Sequence, residues 1–162
     1  MKKQKGFSLI ELLIVVAIIL IIAAIAIPNL MRSKMAANEA SAVASLRTIN
    51  TAEVTYDNTY QTFTNLISLG PGAATCPGTG PTSTAACLVD NLLANASAVA
   101  TPKSGYYFTV AAAGAGYVVG YTSLGQPSGA GTTGTRSFCS DQNLVLFFNA
   151  TGGACNSSNS PL

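Results

Sequence analysis

The most prominent pattern in the chain is a long apolar run near its N-terminus. Between Phe7 and Ile27 the only polar side chains are Ser8 and Glu11. A helix of this length measures about 30 Å, which matches the hydrocarbon core of a bilayer. The run therefore predicts a helix that can cross a membrane.

Apolar residues continue at helical spacing beyond this run, so the pattern predicts one helix from Phe7 to about Thr55, roughly 70 Å long. The charged side chains between the apolar positions are interpreted as a solvated face, and none is assigned a specific contact. We expect the second half of the helix to pack against a globular part. The positions that carry this periodicity are Met35, Ala42, Leu46, Ile49 and Ala52.

The pattern changes after the helix. Residues 57–103 are interrupted by Gly and Pro and predict a connecting region with one short helix at about 86–95. From Gly105 aromatic and β-branched residues predict strands, and 123–134 is predicted to be an exposed loop. The fold class is α+β, with a long N-terminal helix packed on a four-stranded antiparallel sheet. The predicted strands are 106–110, 117–121, 136–139 and 144–148.

Composition excludes several classes of function. The 162 residues contain no His, which excludes Ser-His-Asp and Cys-His catalysis and a His-ligated zinc or haem. The net charge is +2, and Lys2, Lys3 and Lys5 supply three of the cations, which argues against a nucleic-acid-binding domain. No catalytic constellation is visible, so we expect no enzyme activity, no metal site and no cofactor.

The three lysines precede the apolar run, so the positive-inside rule places residues 1–6 in the cytoplasm and the rest of the chain outward. A secretory signal peptide fits poorly, because the run exceeds 7–15 residues and no A-x-A-like site follows it. A plain membrane anchor leaves Glu11 unexplained, since a carboxylate inside a membrane helix costs a few kcal/mol.

The segment Gly6-Phe7-Ser8-Leu9-Ile10-Glu11-Leu12 resembles the prepilin processing site of type IV pilins and related pseudopilins. The resemblance implies that prepilin peptidase cuts between Gly6 and Phe7 and that Phe7 is then N-methylated. It also maps the family's glutamate onto Glu11 and its proline near the end of the apolar run onto Pro28.

Physical chemistry gives these positions roles in assembly. The new α-amine of Phe7 and the carboxylate of Glu11 can pair within one subunit or between staggered subunits, which reduces the cost of burying either charge. Pro28 cannot donate a helical hydrogen bond, which predicts a local irregularity. The resemblance further implies that the segment before Pro28 can lose helicity in a filament.

Four cysteines lie beyond the apolar run, and an even number on the outward side predicts disulfides. Three pairings are possible, and sequence locality favours Cys76–Cys87 and Cys139–Cys155. A metal site is the rival interpretation, but no C-x₂-C spacing and no His support it. A disulfide that bounds a C-terminal loop is also what the family resemblance implies.

The predicted organisation has five parts. These are a leader at 1–6, a membrane or filament-core helix at 7–28, an amphipathic helix at 29–56, a connecting loop region at 57–103, and the sheet with its disulfide loop at 104–162.

The resemblance implies a major pilin, and a looser similarity to major pilins extends over 38–60 and 134–141. Such a protein is an inner-membrane precursor that becomes part of an extracellular filament. Its implied partners are membrane lipid, prepilin peptidase, a platform protein with its assembly ATPase, and other subunits. The alternatives are a periplasmic pseudopilin of type II secretion and a minor pilin that serves as adhesin or DNA-uptake receptor. Motility, adhesion, DNA uptake and electron transfer are all roles that the resemblance allows for such a filament.

Overall fold

A computed structural model of the chain describes residues 7–72, 76, 80–113 and 120–162. The helices are α1 (Leu9–Tyr60), α2 (Leu66–Leu69) and α3 (Asn91–Ala94). The strands are β1 (Tyr106–Ala113), β2 (Gly120–Pro127), β3 (Ser137–Asp141), β4 (Leu146–Asn149) and β5 (Ser160–Pro161). The chain divides between Lys34 and Met35 into two compact units, an N-terminal unit and a head.

The N-terminal unit presents apolar side chains on every side of α1. Its large apolar residues from Phe7 to Met31 are 46–79% exposed. Helix α1 is long and apolar enough to cross a membrane, by length and composition. A helix that is hydrophobic all round is unsuited to water and requires lipid or other protein around it.

The head is a five-stranded antiparallel sheet with the second half of α1 packed on one face. The strands follow one another as a meander in the order β1-β2-β3-β4-β5. The register sets Tyr106 against Pro127, Thr122 against Asp141, and Cys139 against Phe147. The core forms where Leu46 and Ile49 of α1 meet aromatic residues of the strands.

The period-two alternation of a strand decides which residues face the helix. In β2, Tyr121 and Ser123 are buried on the helix side, whereas Thr122 between them is exposed. We call the side with Thr109, Thr122 and Asp141 the outer sheet face. The helix side carries the core, so the outer sheet face stays available for other contacts.

The α+β architecture with a long N-terminal helix and an antiparallel sheet agrees with the sequence prediction, but several details differ. The sheet has five strands instead of four, because the two-residue β5 is too short to leave a pattern. Part of the predicted loop 123–134 is strand, since β2 runs to Pro127 and pairs with β1 along its whole length. Residues 117–119 of the predicted second strand lie outside the described residues.

Helical boundaries also differ from the prediction. Helix α1 continues to Tyr60, where the polar residues after Thr55 are still helical. The short helix expected at 86–95 is confined to Asn91–Ala94, with the side chain of Asp90 accepting a hydrogen bond from Leu93 N–H. Helix α2 was not predicted, since four residues are too few to establish a helical period.

Candidate processing and assembly site

The start of α1 is organised by Ser8 and Glu11. The backbone N–H of Ser8 donates to Oε2 of Glu11 at 2.9 Å, and the N–H of Leu12 donates to the carbonyl of Ser8 at 3.2 Å. Ser8 precedes the first helical residue and Glu11 is the third, which is the spacing of a capping box. Glu11 therefore satisfies an N-terminal donor of the helix within the same chain.

This local role for Glu11 was not part of the sequence prediction, which paired its carboxylate with the amine of Phe7. The S-x-x-E spacing at Ser8 was the available signal. Only one carboxylate oxygen is needed for the cap, so the charge of Glu11 can still attract an amine. The pairing with Phe7 stays a prediction.

Phe7 lies two residues before the first residue of α1, and its side chain is 78% exposed. Helix α1 begins at Leu9, so Phe7 and Ser8 are not held in helical conformation. Gly6, the other residue of the predicted cleavage bond, lies outside the described residues. On the side that the structure describes, the bond is followed by a non-helical, accessible segment, as a peptidase requires.

Pro28 lies inside α1, and the helix assignment continues through it without interruption. A proline has no N–H, so the carbonyl of Ala24 loses the donor that would normally pair with it. The predicted irregularity at Pro28 therefore does not break the helix in this structure. The missing hydrogen bond still makes this turn weaker than its neighbours.

Glu39 connects α1 to the residues that lead into β3. Its Oε1 accepts hydrogen bonds from Thr135 N–H, Thr135 Oγ1 and Arg136 N–H at 2.9–3.2 Å, and its Oε2 pairs with the guanidinium of Arg136. Burial alone would raise the pKa of Glu39, but these hydrogen bonds outweigh it and hold the pKa below its ordinary value.

Glu53 is a second buried carboxyl on the same helix, and its exposed fraction is 0%. Its Oε2 accepts a hydrogen bond from Thr64 N–H at 3.2 Å, while its Oε1 has no partner among the described residues. Burial, together with the negative charge of Asp57, raises the pKa of Glu53 to about 7.

The prediction that the charges of this half form a solvated face is wrong for Glu39 and Glu53. The physical reason is their helical position, since Glu39 precedes Ala42 and Leu46 by three and seven residues and Glu53 follows Ile49 by four. This spacing places both carboxyls on the buried side. The same spacing could have identified them from the sequence.

The structure contains both disulfides that sequence locality favours. Cys76 and Cys87 are bonded with their Cα atoms 6.0 Å apart, and Cys139 and Cys155 are bonded with Cα atoms 5.7 Å apart. The second bond fastens the C-terminal loop to β3, a central strand. Within the described ranges, His, Cys, Asp and Glu form no group of three that could hold a metal ion.

Comparison with known proteins gives a family motif and two relatives. Residues 1–27 match the family model described as the prokaryotic N-terminal methylation motif. The chain is 40% identical over 72 residues to the type IV major pilin protein PilA of Myxococcus xanthus, covering 43% of this chain and 33% of that protein. It is 43% identical over 74 residues to the type IV wide pilus major component PilA4 of Thermus thermophilus, covering 43% of this chain and 56% of the relative.

These alignments cover only a third to about half of the relatives' own lengths. No solved structure matches the chain.

Proposed function

We propose that this chain, which carries the prokaryotic N-terminal methylation motif and is homologous to type IV major pilins, is the major structural subunit of a type IV pilus. The observation that carries the proposal is the methylation motif at residues 1–27, which includes the apolar part of α1 from Leu9 to Ile27, whose large side chains are 46–79% exposed. In an isolated subunit these apolar side chains have no other protein surface to pack against, and a filament provides neighbouring helices for them.

Processing comes first in the proposed sequence of events. Prepilin peptidase cuts between Gly6 and Phe7 on the cytoplasmic side, and the new amine of Phe7 is methylated. The cut leaves the apolar helix on the mature chain and removes Lys2, Lys3 and Lys5. The formal side-chain charge then changes from +2 to −1.

Before assembly, the helix lies in the inner membrane with its N-terminus cytoplasmic and the head on the outer side. A platform protein and its ATPase then move the subunit into the growing filament. Helices leave lipid and pack against other helices, so association depends on close packing and on pairing of polar groups. The filament emerges on the cell surface.

Glu11 supplies the polar pairing in this scheme. A charged group in an apolar helix bundle is strongly unfavourable unless it is paired. The amine of Phe7 on an entering subunit is the complementary charge, and Glu11 attracts it while its other oxygen caps the helix through Ser8. Pairing therefore favours one axial position of the entering subunit.

Pro28 makes the helix easier to extend at the turn that precedes it. The carbonyl of Ala24 has no helical donor because Pro28 lacks an N–H, so the preceding turn unwinds at lower cost than any other in the apolar run. Under tension this turn is the first to extend.

The experiment is intact-mass and N-terminal analysis of filaments sheared from cells that express this chain. We expect an abundant species that begins at N-methylated Phe7 and shows the mass deficit of two disulfides. Retention of residues 1–6 in cells with active prepilin peptidase would overturn the processing step. A mature chain found only in the envelope, and never in sheared filaments, would favour a pseudopilin instead.

A further inference from the structure

The outer sheet face carries a cleft of about 350 Å³ between the strands and the C-terminal loop. Its floor is formed by neighbouring residues of four strands, and its rim by the segment that follows Cys155. This volume is typical of a pocket for a small ligand. The side chains that give it chemical character are Thr109, Thr122, Asp141, Phe147, Asn156 and Ser157.

Several polar groups that line the cleft are available to form hydrogen bonds with a ligand. Asp141 uses Oδ1 to accept from Asn143 N–H at 2.9 Å, and Asn156 uses Oδ1 to accept from Ser158 N–H at 3.0 Å. Among the described residues, no partner is found for the second oxygen of Asp141, the side-chain NH₂ of Asn156, or the hydroxyls of Thr109 and Thr122. The cleft therefore offers both donors and acceptors at once.

The rim is held in place by covalent and sheet contacts. The Cys139–Cys155 disulfide anchors the residue before Asn156 to β3, and the register sets Thr122 opposite Asp141 and Cys139 opposite Phe147. A site whose groups are fixed before binding loses less conformational entropy when a ligand arrives.

The chemistry of these groups selects the ligand. Among the lining residues that the structure describes, Asp141 alone is charged, which disfavours phosphates and uronic acids. β2 and β3 are interior strands whose main chains are paired on both sides, so a peptide cannot add to them as a further strand. Hydroxyl, amide and carboxylate groups beside the half-buried ring of Phe147 suit a polyol with one apolar face.

We propose that this cleft binds a neutral hexopyranose unit of a polysaccharide. Vicinal hydroxyls of the sugar donate to Asp141 and exchange hydrogen bonds with Thr122 and Asn156, while its C–H face packs on Phe147. If the chain forms a homopolymeric pilus, as proposed above, each subunit presents one cleft, and many weak sites then bind one polymer with high avidity.

The test is co-sedimentation of sheared filaments with fluorescently labelled dextran, β-1,3-glucan and galactomannan, with polygalacturonate as the anionic comparison. We expect at least one neutral polymer to pellet with the filaments and polygalacturonate to remain in solution. Asp141→Asn keeps the Oδ1 acceptor for Asn143 and should weaken binding about tenfold, because a charged hydrogen-bond acceptor is lost.

Two further variants distinguish a loss of binding at the cleft from general effects on folding or assembly. Thr122→Val preserves shape and should weaken binding several-fold, whereas Thr59→Val, on the exposed side of α1, should leave it within twofold. Filament yield and melting temperature monitor folding. If Asp141→Asn does not assemble into filaments, polysaccharide binding by Thr122→Val filaments tests the cleft. Absence of binding to every neutral polymer, or binding unchanged by both cleft variants, would overturn the proposal.

A second measurement tests the cleft if the chain does not form pili. If no filaments can be sheared from cells, the full-length chain is titrated in detergent micelles with methyl glucoside, galactoside and mannoside and followed by NMR. Saturation transfer that Thr122→Val reduces several-fold would support the cleft even then. Absence of saturation transfer from all three glycosides would overturn the cleft whether or not filaments form.

Discussion

Glu39 and Arg136 lie 97 residues apart in the chain and form a two-point ion pair. Oε2 of Glu39 is 2.8 Å from both Nε and Nη2 of Arg136. The guanidinium also lies 5.5 Å and 5.6 Å from the ring centres of Phe138 and Phe148. One arginine thus connects α1 to β3 and β4.

Replacing Glu39 by Gln should destabilise the head. Gln retains an acceptor for the Thr135 and Arg136 backbone but leaves the guanidinium without its charge partner. We expect a loss of about 2 kcal/mol, below the value for a fully buried pair because the Arg136 side chain is 41% exposed. Thermal unfolding of the full-length chain in micelles measures it, and Arg47→Ala, at an exposed position of α1, is the control.

Acid should weaken the same contact. The pKa of Glu39 is lower in the folded head than the ordinary 4.5, so its contribution is present above 4.5 and is lost as pH falls through the folded value. The difference in stability between the wild type and Glu39→Gln should therefore shrink below pH 4.5. A constant difference down to pH 2 would contradict this assignment.

Glu53 should act in the opposite direction. Its pKa is raised from 4.5 to about 7, so the folded state keeps a proton that the unfolded chain releases. Stability from this group is full below pH 4.5, falls between 4.5 and 7, and stays low above 7. The full penalty is on the order of 3 kcal/mol, from about 1.4 kcal/mol for each pKa unit.

The variant Glu53→Gln removes this penalty while keeping an acceptor for Thr64 N–H. We expect its head to be more stable than the wild type at pH 8 and equally stable at pH 4. Asp57→Asn is the matched comparison, since it removes one cause of the raised pKa but leaves the buried carboxyl in place. Melting curves that respond identically to pH in the wild type and in Glu53→Gln would refute this role.

Glu11→Gln should separate helix capping from charge pairing. Gln at the third helical position can still accept from Ser8 N–H, so the helix start and the cleavage site are preserved. Incorporation into filaments should nevertheless drop sharply, because the neutral amide cannot pair with the amine of Phe7. Immunoblots of sheared and envelope fractions measure both steps, with Ser33→Ala as control; wild-type filament yield would exclude charge pairing.

Loss of the Cys139–Cys155 bond should affect stability and binding together. The bond closes a loop between residues 16 apart, so Cys139→Ser/Cys155→Ser should lose about 3 kcal/mol. Cys76→Ser/Cys87→Ser, with a separation of 11, should lose a similar amount. Only the first pair fixes Asn156 at the cleft, so polysaccharide binding should fall in that variant and persist in the other.

The residues predicted from sequence are those whose proposed role depends on their immediate neighbours along the chain. Gly6, Phe7 and Glu11 lie within six positions, and the composition of the apolar run is enough to predict its helix. Contacts such as Glu39 with Arg136 join distant segments, and no local pattern specifies the partner. The open cleft is harder still, since Thr109, Asp141 and Asn156 come together only after the strands acquire their register and the disulfide closes.

The prediction of a loop from residue 123 was wrong at β2 for a related reason. Residues 123–127 contain Ser, Gly, Gln and Pro, which favour loops in isolation. Pairing with β1 along the whole segment, and with β3 at residues 123–125, stabilises it as strand, so tertiary context overrides propensity. Thr122 is exposed and its neighbour Ser123 is buried because successive side chains of a strand point to opposite faces of the sheet.

The meander order of the sheet bears on how the head acquires its structure. Every strand pairs with its neighbour along the chain, and both disulfides close within 16 residues. The entropy cost of closing a loop rises with its length, so these local closures can precede longer ones. The contact of Glu39 with Thr135 and Arg136 joins residues 96 and 97 positions apart, and it can fix α1 in place once the sheet exists.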